Sequence, residues 1–540
     1  MLLKSAFYLL LSVYLCECIS MDTKLGPIRG TERQSRDGRT YYAFTGLPYA
    51  KPPLGKLRLK NPEPIEPWTD EWDATNETPK CYQIGLIPVE VKGKVFGQED
   101  CLYLSVYTPN LKPKEKLPVF VYIHGGAFRW GNEGPKYNAG YLMDEDIVLV
   151  NIHYRLGVLG FLSTEDEHIP GNYGLKDQAM ALQWVKDNIE SFGGDSEKIS
   201  AFGISAGGAS THYHMMSPLS KGILKGGISQ SGWLNPFWGL AAPGTARPMA
   251  KTVAQIVGCQ NFDGEELLDC LQKVDVEKLA KTEQNFTYWD FEPLAVFRPV
   301  QEPAAEGAFM AFDPYTQEIT LPWITGFISS EGIIKYASIA SQDDSVTQQF
   351  IDNMDDYLFR MLSLDPKDAK EAATIKLIRE RYFPKPVTVK SAQQGMKLFY
   401  TDAYFVYPMA MSIRKHKGPR YQYLYDYRSS ASISDSFGNF GNIGVSHGDD
   451  QFPLFNMTEY FPKQNPENKQ DKLVSKTMVR LWTNFAKYQK PTLSEDPVVW
   501  PDNSNGQYLH ITDKLTVEEN LRKDVTDWWF NLPAFSRTSV

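Results

Sequence analysis

Residues 198–216 read KISAFGISAGGASTHYHMM, and this stretch decides the fold. Residues 198–202 form a short apolar run typical of a strand, and residues 203–207 read Gly-Ile-Ser-Ala-Gly before a run of small residues that favours a helix start. A strand, a sharp turn and a helix around one serine form the pattern of a nucleophile elbow. The flanking glycines permit a strained turn and close neighbouring chains, where any side chain would clash. We therefore predict that Ser205 is a nucleophile; the alternative is an ordinary serine in a glycine-rich loop.

A second motif lies upstream, in residues 118–128, which read PVFVYIHGGAF. An apolar run leads directly into His124 and the small residues that follow it. Such a strand end leaves backbone N–H groups exposed, which is how an oxyanion hole is built. The alternative is a buried strand followed by a plain turn, but the pairing of this motif with the elbow favours an oxyanion hole.

These two motifs and six others resemble, in order, those of the type-B carboxylesterases, which are the carboxylesterase and cholinesterase family of α/β-hydrolases. Within that family the chain most resembles the secreted insect esterases. The others are residues 99–109 (EDCLYLSVYTP), 153–157 (HYRLG), 171–178 (GNYGLKDQ), 230–232 (QSG), 330–332 (SEG) and 444–448 (GVSHG). The resemblance implies an α/β-hydrolase fold, with a large, mostly parallel central sheet, helices on both faces and helical lid insertions. Two positions depart from the family, which usually has glutamate at Ile204 and a third glycine at Ala127.

The pattern of the chain independently favours an α/β fold. Strand-like runs alternate with helical periodicity. The predicted strands are residues 101–107, 119–123, 147–150, 321–327 and 421–427, a hairpin turns at Asp37-Gly38, and helices cover residues 173–192 and 474–488. Residues 233–322 are irregular and residues 361–415 largely helical, and we interpret both as insertions over the carboxyl ends of the sheet. Because the motifs from Asp100 to His447 must meet at one site, residues 21–540 are predicted to form one catalytic domain.

Composition excludes some classes of partner. The 540 residues are 42% apolar and 22% charged, which is ordinary for a soluble globular protein. A net charge of −9 gives no reason to expect the clustered basic face that nucleic-acid binding needs. Neither a membrane anchor nor a retention signal is recognisable at the C-terminus. The oligomeric state stays open between monomer and homodimer.

The first twenty residues favour export from the cell. They carry one lysine before an apolar stretch, residues 6–15, that is too short to span a bilayer and is typical of a cleaved secretory signal. The alternative is a buried N-terminal helix. Sequons at Asn76, Asn285 and Asn456 also fit an exported glycoprotein.

Cleavage of that signal near residues 18–20 leaves four cysteines, Cys81, Cys101, Cys259 and Cys270, which allow three connectivities. The family resemblance implies that Cys81 pairs with Cys101 and that Cys259 pairs with Cys270.

A serine nucleophile needs a base, and His447 is the best of the eight histidines because it lies in a loop beyond a predicted strand. His212 and His214, two residues apart on a predicted helix, point to different sides, which argues against a metal pair. His124 is expected to shape the glycine-rich loop. The others are expected to be structural or surface residues: His153, His168, His416 and His510.

The base in turn needs a carboxylate to fix its tautomer. Glu331 follows a predicted strand, and the order serine, acid, histidine is that of α/β-hydrolases. Asp449 and Asp450 are alternatives, but they are very close to His447 in sequence. The family resemblance decides for Glu331 and implies that Ser231 supports it by hydrogen bonding.

The resulting mechanism is two-step acyl transfer on a small-molecule ester, with the N–H groups of Gly126, Ala127 and Ala206 holding the oxyanion. It requires no metal and no organic cofactor. In cholinesterases a tryptophan between the first two cysteines binds choline, but here that loop offers Ile84, Leu86, Ile87, Val89, Val91, Val95 and Phe96. Uncharged, fairly hydrophobic esters are therefore the expected substrates; the alternative is a substitute cation site formed by Tyr82 or by an aromatic residue of the insertions.

Two other functions compete with a general esterase. A cholinesterase-like adhesion protein would have lost its nucleophile, whereas all three triad positions are occupied here. A binding protein that is acylated slowly and seldom turns over is compatible with the unusual Ile204 beside the nucleophile. Among enzymes, juvenile hormone esterases, venom and odorant esterases and detoxifying carboxylesterases share these motifs, and the sequence does not choose among them.

Overall fold

The computed structural model describes residues 18–85, 93–132, 137–235, 237–261 and 263–536. Its strands are β1 (Cys18–Asp22), β2 (Pro27–Gln34), β3 (Thr40–Pro48), β4 (Trp72–Asp73), β5 (Gln83–Ile84), β6 (Val95–Phe96), β7 (Tyr103–Thr108), β8 (Leu117–Ile123), β9 (Val148–Ile152), β10 (Gly194–Ile204), β11 (Leu224–Gln230), β12 (Trp323–Ile328), β13 (Arg420–Tyr425), β14 (Gln507–Ile511) and β15 (Leu515–Glu519). Its helices are α1 (Gly157–Phe161), α2 (Tyr173–Asn188), α3 (Ala206–His214), α4 (Ala246–Val257), α5 (Gly264–Lys273), α6 (Val276–Lys281), α7 (Ile333–Ala340), α8 (Asp344–Asp352), α9 (Met354–Leu362), α10 (Ala369–Tyr382), α11 (Val389–Thr401), α12 (Tyr407–Lys415), α13 (Lys469–Tyr488) and α14 (Lys523–Phe530).

One large mixed sheet runs through the molecule in the order β1-β2-β3-β7-β9-β8-β10-β11-β12-β13-β14-β15, with β4 beside β2. Its centre, from β9 to β14, is parallel, and its edges are antiparallel. The apolar strand β9 is buried along its whole length, as is β12, because helices cover both faces. The predicted α/β-hydrolase architecture is confirmed, and the strand that carries the elbow, β10, lies in the middle of the sheet.

Helix α2 differs from the amphipathic helix that its apolar spacing predicts. Its first two turns are buried on every side, including the charged Lys176 and Asp177. Each charge has a buried partner, since Lys176 Nζ lies 2.6 Å from Glu302 Oε2 and Asp177 Oδ1 lies 2.7 Å from an Arg155 nitrogen. Pairing of this kind makes the polar residues part of the interior, which apolar periodicity alone does not reveal.

Both insertions contain helices. Residues 361–415 are largely helical, as predicted, and a π-helical turn, Asp402–Val406, joins α11 to α12. The segment 233–322 is less irregular than expected because it contains α4, α5 and α6. Helices α4 and α5 each bury one apolar face, and Asp275 caps α6 by accepting a hydrogen bond from Lys278 N.

Two disulfides join Cys81 to Cys101 and Cys259 to Cys270, the pairing that the family resemblance implies. Asn76 and Asn285 are exposed, and Asn456 is partly buried. Most of the predicted signal, residues 1–17, lies outside the described residues, whereas residues 18–20 form part of β1. Among the described helices, none is both long and apolar enough to cross a bilayer.

Candidate active site

Ser205 stands at the junction of β10 and α3, as the elbow motif predicts. Its backbone has φ 57° and ψ −123°, a conformation that L-residues rarely adopt. Its N–H donates to Gln230 O at 2.7 Å, which ties the turn to the neighbouring strand β11. The strained backbone is therefore fixed by the central sheet, and the serine side chain projects beyond the strand end.

Glycines around Ser205 are required by close packing. A Cβ atom on Gly203 or on Gly207 would overlap the carbonyl oxygen of Ile123 at the end of β8. A Cβ atom on Gly232 would overlap the carbonyl oxygen of Ser205 itself. The predicted clash at the two motif glycines is thus confirmed, and its cause is the convergence of three chain segments on the turn.

The glycine-rich loop after β8 forms the opposite wall of the site. Gly126, Ala127 and Phe128 all have positive φ, at 118°, 54° and 60°. The loop is held from outside by Tyr154, whose hydroxyl donates to His124 O at 2.9 Å. It is also held by the buried ion pair between the Arg129 guanidinium and Glu283. Gly126 and Ala127 line the same cavity as Ser205, where their amides can face a developing negative charge.

Ala206 completes this group as the first residue of α3. The amide at such a position has no acceptor within the helix, because the first four N–H groups of any helix lack one. The positive end of the helix dipole further favours negative charge at this point.

Glu331 and His447 meet as the sequence predicts. Glu331 Oε2 lies 2.5 Å from His447 Nδ1, and Glu331 Oε1 accepts hydrogen bonds from Ser231 Oγ at 2.5 Å and Ile328 N at 2.9 Å. The carboxylate is fully buried, so every donor aimed at it stabilises its charge. Binding at Nδ1 leaves Nε2 of the imidazole available towards the cavity.

Asp449 and Asp450, the alternative acids, serve the histidine loop in another way. Asp449 accepts from Ser446 N and Ile433 N, both at 2.8 Å, and Asp450 accepts from Gln230 Nε2 at 2.8 Å. Burial raises the pKa of Asp449 to about 7. These carboxylates anchor the loop to its surroundings, and neither contacts the His447 ring in the described part of the chain.

Ser205 and His447 line one cavity. Among the described residues no hydrogen bond joins the Ser205 hydroxyl to the His447 ring, a contact that often tightens only around substrate. Phe405, on the π-helical turn, packs against the imidazole with ring centroids 4.9 Å apart and limits its movement. The geometry therefore supplies a serine, a base and an acid around one apolar space.

The cavity wall is mainly apolar and aromatic. Its lining residues are Gly125, Gly126, Ala127, Trp130, Gly131, Tyr137, Ile204, Ser205, Phe291, Leu294, Ile334, Tyr400, Phe405, Ile433, His447, Gly448, Gln451 and Met457. None of the described lining residues is Asp, Glu, Lys or Arg, and His447 is the one histidine among them. The space is thus suited to an uncharged, hydrophobic ligand.

The family model for the carboxylesterase family matches residues 17–529. The chain belongs to the carboxylesterase family. It is 37% identical over 495 residues to a juvenile hormone esterase of Tribolium castaneum, covering 87% of this chain and 83% of that protein. It is 35% identical over 535 residues to venom carboxylesterase-6 of Apis mellifera, covering 95% and 94%.

A solved structure points to the same family. The juvenile hormone esterase from Manduca sexta, with OTFP covalently attached, matches with a TM-score of 0.84 and 28% identity, covering 96% of this chain and 99% of that chain. This carboxylesterase is therefore a carboxylic ester hydrolase with the α/β-hydrolase fold.

The other histidines of the carboxylesterase do not line the cavity that Ser205 and His447 share. The rings of His212 and His214 have different surroundings, since His212 Nδ1 accepts from Leu234 N at 3.2 Å and His214 contacts Ser220 and Gln178. His124 Nδ1 lies 2.8 Å from Gly125 O within the glycine-rich loop, where it was expected to shape the turn. The rings of His153 and His416 are buried, and those of His168 and His510 are partly exposed.

Sequence reasoning did not identify the individual aromatic residues of the cavity wall. Trp130 follows the glycine-rich loop by two residues, and Phe291, Tyr400 and Phe405 come from the insertions. Their only signal in the sequence is the aromatic content of the segments interpreted as a lid. The described apolar side chains of the loop between Cys81 and Cys101 are not among the residues that line this cavity: Ile84, Val95 and Phe96. Ile84 and Val95 pair across the β5–β6 hairpin, and residues 86–92 lie outside the described residues.

Proposed function

We propose that this carboxylesterase hydrolyses uncharged, fairly hydrophobic esters through an acyl-enzyme on Ser205. The observation that carries the proposal is the hydrogen-bonded series Ser231, Glu331 and His447, which ends at the apolar cavity that Ser205 also lines. A serine and a base supported by a buried acid are the parts that nucleophilic acyl transfer requires.

In the first step Ser205 Oγ attacks the ester carbonyl carbon while His447 Nε2 takes the hydroxyl proton. The tetrahedral intermediate collapses, the bond to the alcohol oxygen breaks, and His447 returns the proton to the departing alcohol. A water molecule then attacks the acyl-enzyme with the same proton transfers, which releases the acid and restores Ser205. Glu331 orients the imidazole and stabilises the imidazolium, and Ser231 holds Glu331 in place.

Negative charge builds on the carbonyl oxygen in both steps. We assign the N–H groups of Gly126, Ala127 and Ala206 to that oxygen, because the first two line the cavity and the third begins α3. Backbone donors fixed in this way need no rearrangement as the charge develops.

For export, domain organisation, glycosylation and oligomeric state we retain the sequence predictions. Residues 1–20 act as a secretory signal, and residues 21–540 form one catalytic domain that is exported. Asn76, Asn285 and Asn456 are the glycan acceptors, and the exposure of Asn76 and Asn285 supports the assignment. The mature protein acts as a monomer or a homodimer on a small-molecule ester.

A juvenile hormone esterase is a second candidate function. It is supported by the likeness to the juvenile hormone esterases of Tribolium castaneum and Manduca sexta. Comparing kcat/KM for juvenile hormone with kcat/KM for 4-nitrophenyl butyrate tests it. A preference for the hormone of about 10²-fold or more, or ~2.8 kcal/mol in transition-state binding, would identify a specialised enzyme.

Stopped-flow hydrolysis of 4-nitrophenyl butyrate tests the main proposal. We expect sustained turnover by the parent protein, and loss of several orders of magnitude in Ser205→Ala, because the nucleophile belongs to one catalytic unit. Ser196→Ala, at the far end of the same strand, is the matched control and should keep its activity. A burst of one equivalent without turnover would indicate a sequestering protein instead, and more than about a tenth of the activity in Ser205→Ala would refute the assignment.

A further inference from the structure

A buried charge cluster lies directly behind the cavity wall. Lys335 on α7 is fully buried, and its Nζ lies 3.0 Å from Asp290 Oδ2 and 3.1 Å from Glu292 Oε1. The two acids belong to one tight turn on either side of Phe291, where Glu292 N donates to Trp289 O at 2.7 Å. One lysine therefore holds both ends of a short segment.

Every charge in the cluster has further partners. Asp290 Oδ1 accepts from Ser338 Oγ at 3.0 Å and from Gln342 Nε2 at 2.9 Å. Glu292 accepts from Leu294 N at 3.2 Å and from the hydroxyl of Tyr400. Since each carboxylate receives several donors, the cluster has one defined arrangement.

The cluster reaches the cavity through aromatic side chains. Phe291, Leu294 and Tyr400 all line the catalytic cavity. Lys335 Nζ lies 3.8 Å from the ring centroid of Phe291 and 5.6 Å from that of Tyr400, within range of cation–π attraction. The lysine thus contacts the outer side of the rings whose inner side faces the substrate space.

A contribution to stability does not explain why this charge cluster is buried. Burying three charges carries a large desolvation cost, and apolar residues of similar volume are often as stable or more stable. What a fully hydrogen-bonded cluster adds is a fixed position for the groups attached to it. Here those groups are three members of the wall that faces Ser205 and His447.

We propose that Lys335 is a positioning residue that sets the size of ester this cavity accepts. Through Asp290 and Glu292 it fixes Phe291 and Leu294, and through Glu292 it fixes Tyr400. Lys335 does not contact Ser205 or His447, so its loss changes which substrates fit and leaves the chemistry in place. The inference rests on the proposed function, because it concerns the substrate space of the same site.

Substrate selectivity is the quantity to measure. In Lys335→Met, Phe291 and Tyr400 lose the contacts that fix their position, so the cavity wall can move and admit bulky groups. We expect the ratio of kcat/KM for 4-nitrophenyl benzoate over 4-nitrophenyl acetate to rise about tenfold, the scale of misfit in an apolar pocket. The change should come mainly from KM for the benzoate, and kcat for the acetate should stay within about threefold.

Lys176→Met is the matched control. It also removes a buried lysine from a carboxylate, Glu302, but neither of these residues lines the cavity. Its selectivity ratio should equal that of the parent. A ratio that rises equally in Lys176→Met would show a general loosening of the fold and would overturn the proposal.

Two further variants keep the test decisive where Lys335→Met fails to fold. The triple variant Asp290→Asn, Glu292→Gln, Lys335→Met leaves no unpaired charge and should show the same shift. Tyr400→Phe keeps the ring, removes the hydroxyl held by Glu292, and should shift the ratio in the same direction by a smaller factor. An unchanged ratio in whichever of these variants folds would overturn the proposal.

Labelling with a fluorophosphonate separates this inference from the proposed function. Intact labelling of Ser205 in all variants, with an unchanged ratio, refutes only the role of Lys335. Failure of the parent protein to be labelled at Ser205 refutes the catalytic assignment, on which the inference depends.

Discussion

The hydroxyl of Ser231 donates a hydrogen bond of 2.5 Å to Glu331 Oε1, on the opposite side of the carboxylate from His447. Ser231 is fully buried, so Ser231→Ala leaves Glu331 without that donor and without a solvent replacement. A hydrogen bond to a charged group contributes ~1.5–3 kcal/mol, and loss of that amount in the transition state predicts a fall in kcat of about 10–150-fold. Steady-state kinetics should show this loss with KM unchanged. An equal loss in a variant of an exposed serine, Ser494→Ala, would contradict the role.

Ala127 occupies a left-handed conformation, φ 54°, that costs an L-residue energy. Ala127→Gly is therefore expected to raise the free energy of unfolding by up to ~1 kcal/mol without lowering turnover. Ala127→Pro removes the N–H and also forces φ towards about −65°, which distorts the loop, so kcat should fall by more than the roughly 10²-fold of one lost oxyanion donor. Denaturant unfolding and ester hydrolysis measure the two effects. Near-normal turnover in Ala127→Pro would place the oxyanion hole elsewhere.

Buried histidines make stability depend on pH. Burial lowers the pKa of His212 to about 3 and that of His416 to about 4. Between about pH 6.5 and these values the unfolded chain binds protons that the folded chain does not, so stability falls as pH falls. His212→Asn should reduce the slope of the free energy of unfolding against pH by ~1.4 kcal/mol per pH unit between pH 6 and 5. Urea unfolding at both pH values measures the slope; an unchanged slope would show that His212 protonates in the fold.

Asp449 acts with the opposite sign. Its pKa, raised by burial to about 7, makes the folded chain bind a proton that the unfolded chain has already released. Its contribution therefore destabilises the fold progressively as pH rises from about 4 to 7. Asp449→Asn should make the loss of stability on acidification between pH 7 and 5 steeper. The same unfolding series tests it, and a shallower dependence would contradict the assignment.

Charged substrates should bind poorly. The described cavity lining offers no carboxylate to a quaternary ammonium, although Trp130 provides an aromatic face. We expect butyrylcholine to be hydrolysed with a kcat/KM at least about tenfold below that of an uncharged butyrate ester of similar size. Ile204→Glu, which places a carboxylate beside Ser205, should narrow that difference. Equal rates for both esters in the parent protein would contradict the expectation.

Local sequence patterns predicted the centre of the fold well. The apolar runs that became β8, β9 and β10 are buried on both faces, and the glycine pattern around Ser205 follows from contacts within that sheet. The turn at Asp37-Gly38 joins β2 and β3 as a hairpin. Such features depend on neighbours within a few residues, or on strands whose continuous apolar sequence indicates that both faces of the sheet are buried.

One helix boundary, the strands at one sheet edge and the cavity wall were not predicted. Helix α13 begins at Lys469, five residues before the predicted start, because Asn468 caps it by accepting from Gln470 N and Asp471 N. Strands β14 and β15 pair at the sheet edge, where exposed charged residues replace the apolar run of a central strand. The cavity wall comes from turns such as Trp289–Glu292, whose conformation depends on Lys335, more than forty residues away.

The order of the chain has a consequence for its biosynthesis. Ser205 and the oxyanion amides are translated early, whereas the histidine loop that Asp449 and Asp450 anchor comes more than two hundred residues later. A ribosome-bound chain that ends before residue 447 carries the proposed nucleophile without its proposed base. At translation rates of about 5–20 residues per second, that interval lasts roughly 12–50 seconds. Under the proposed mechanism, the nascent chain cannot hydrolyse esters during this interval, and activity requires synthesis of the chain to beyond residue 447.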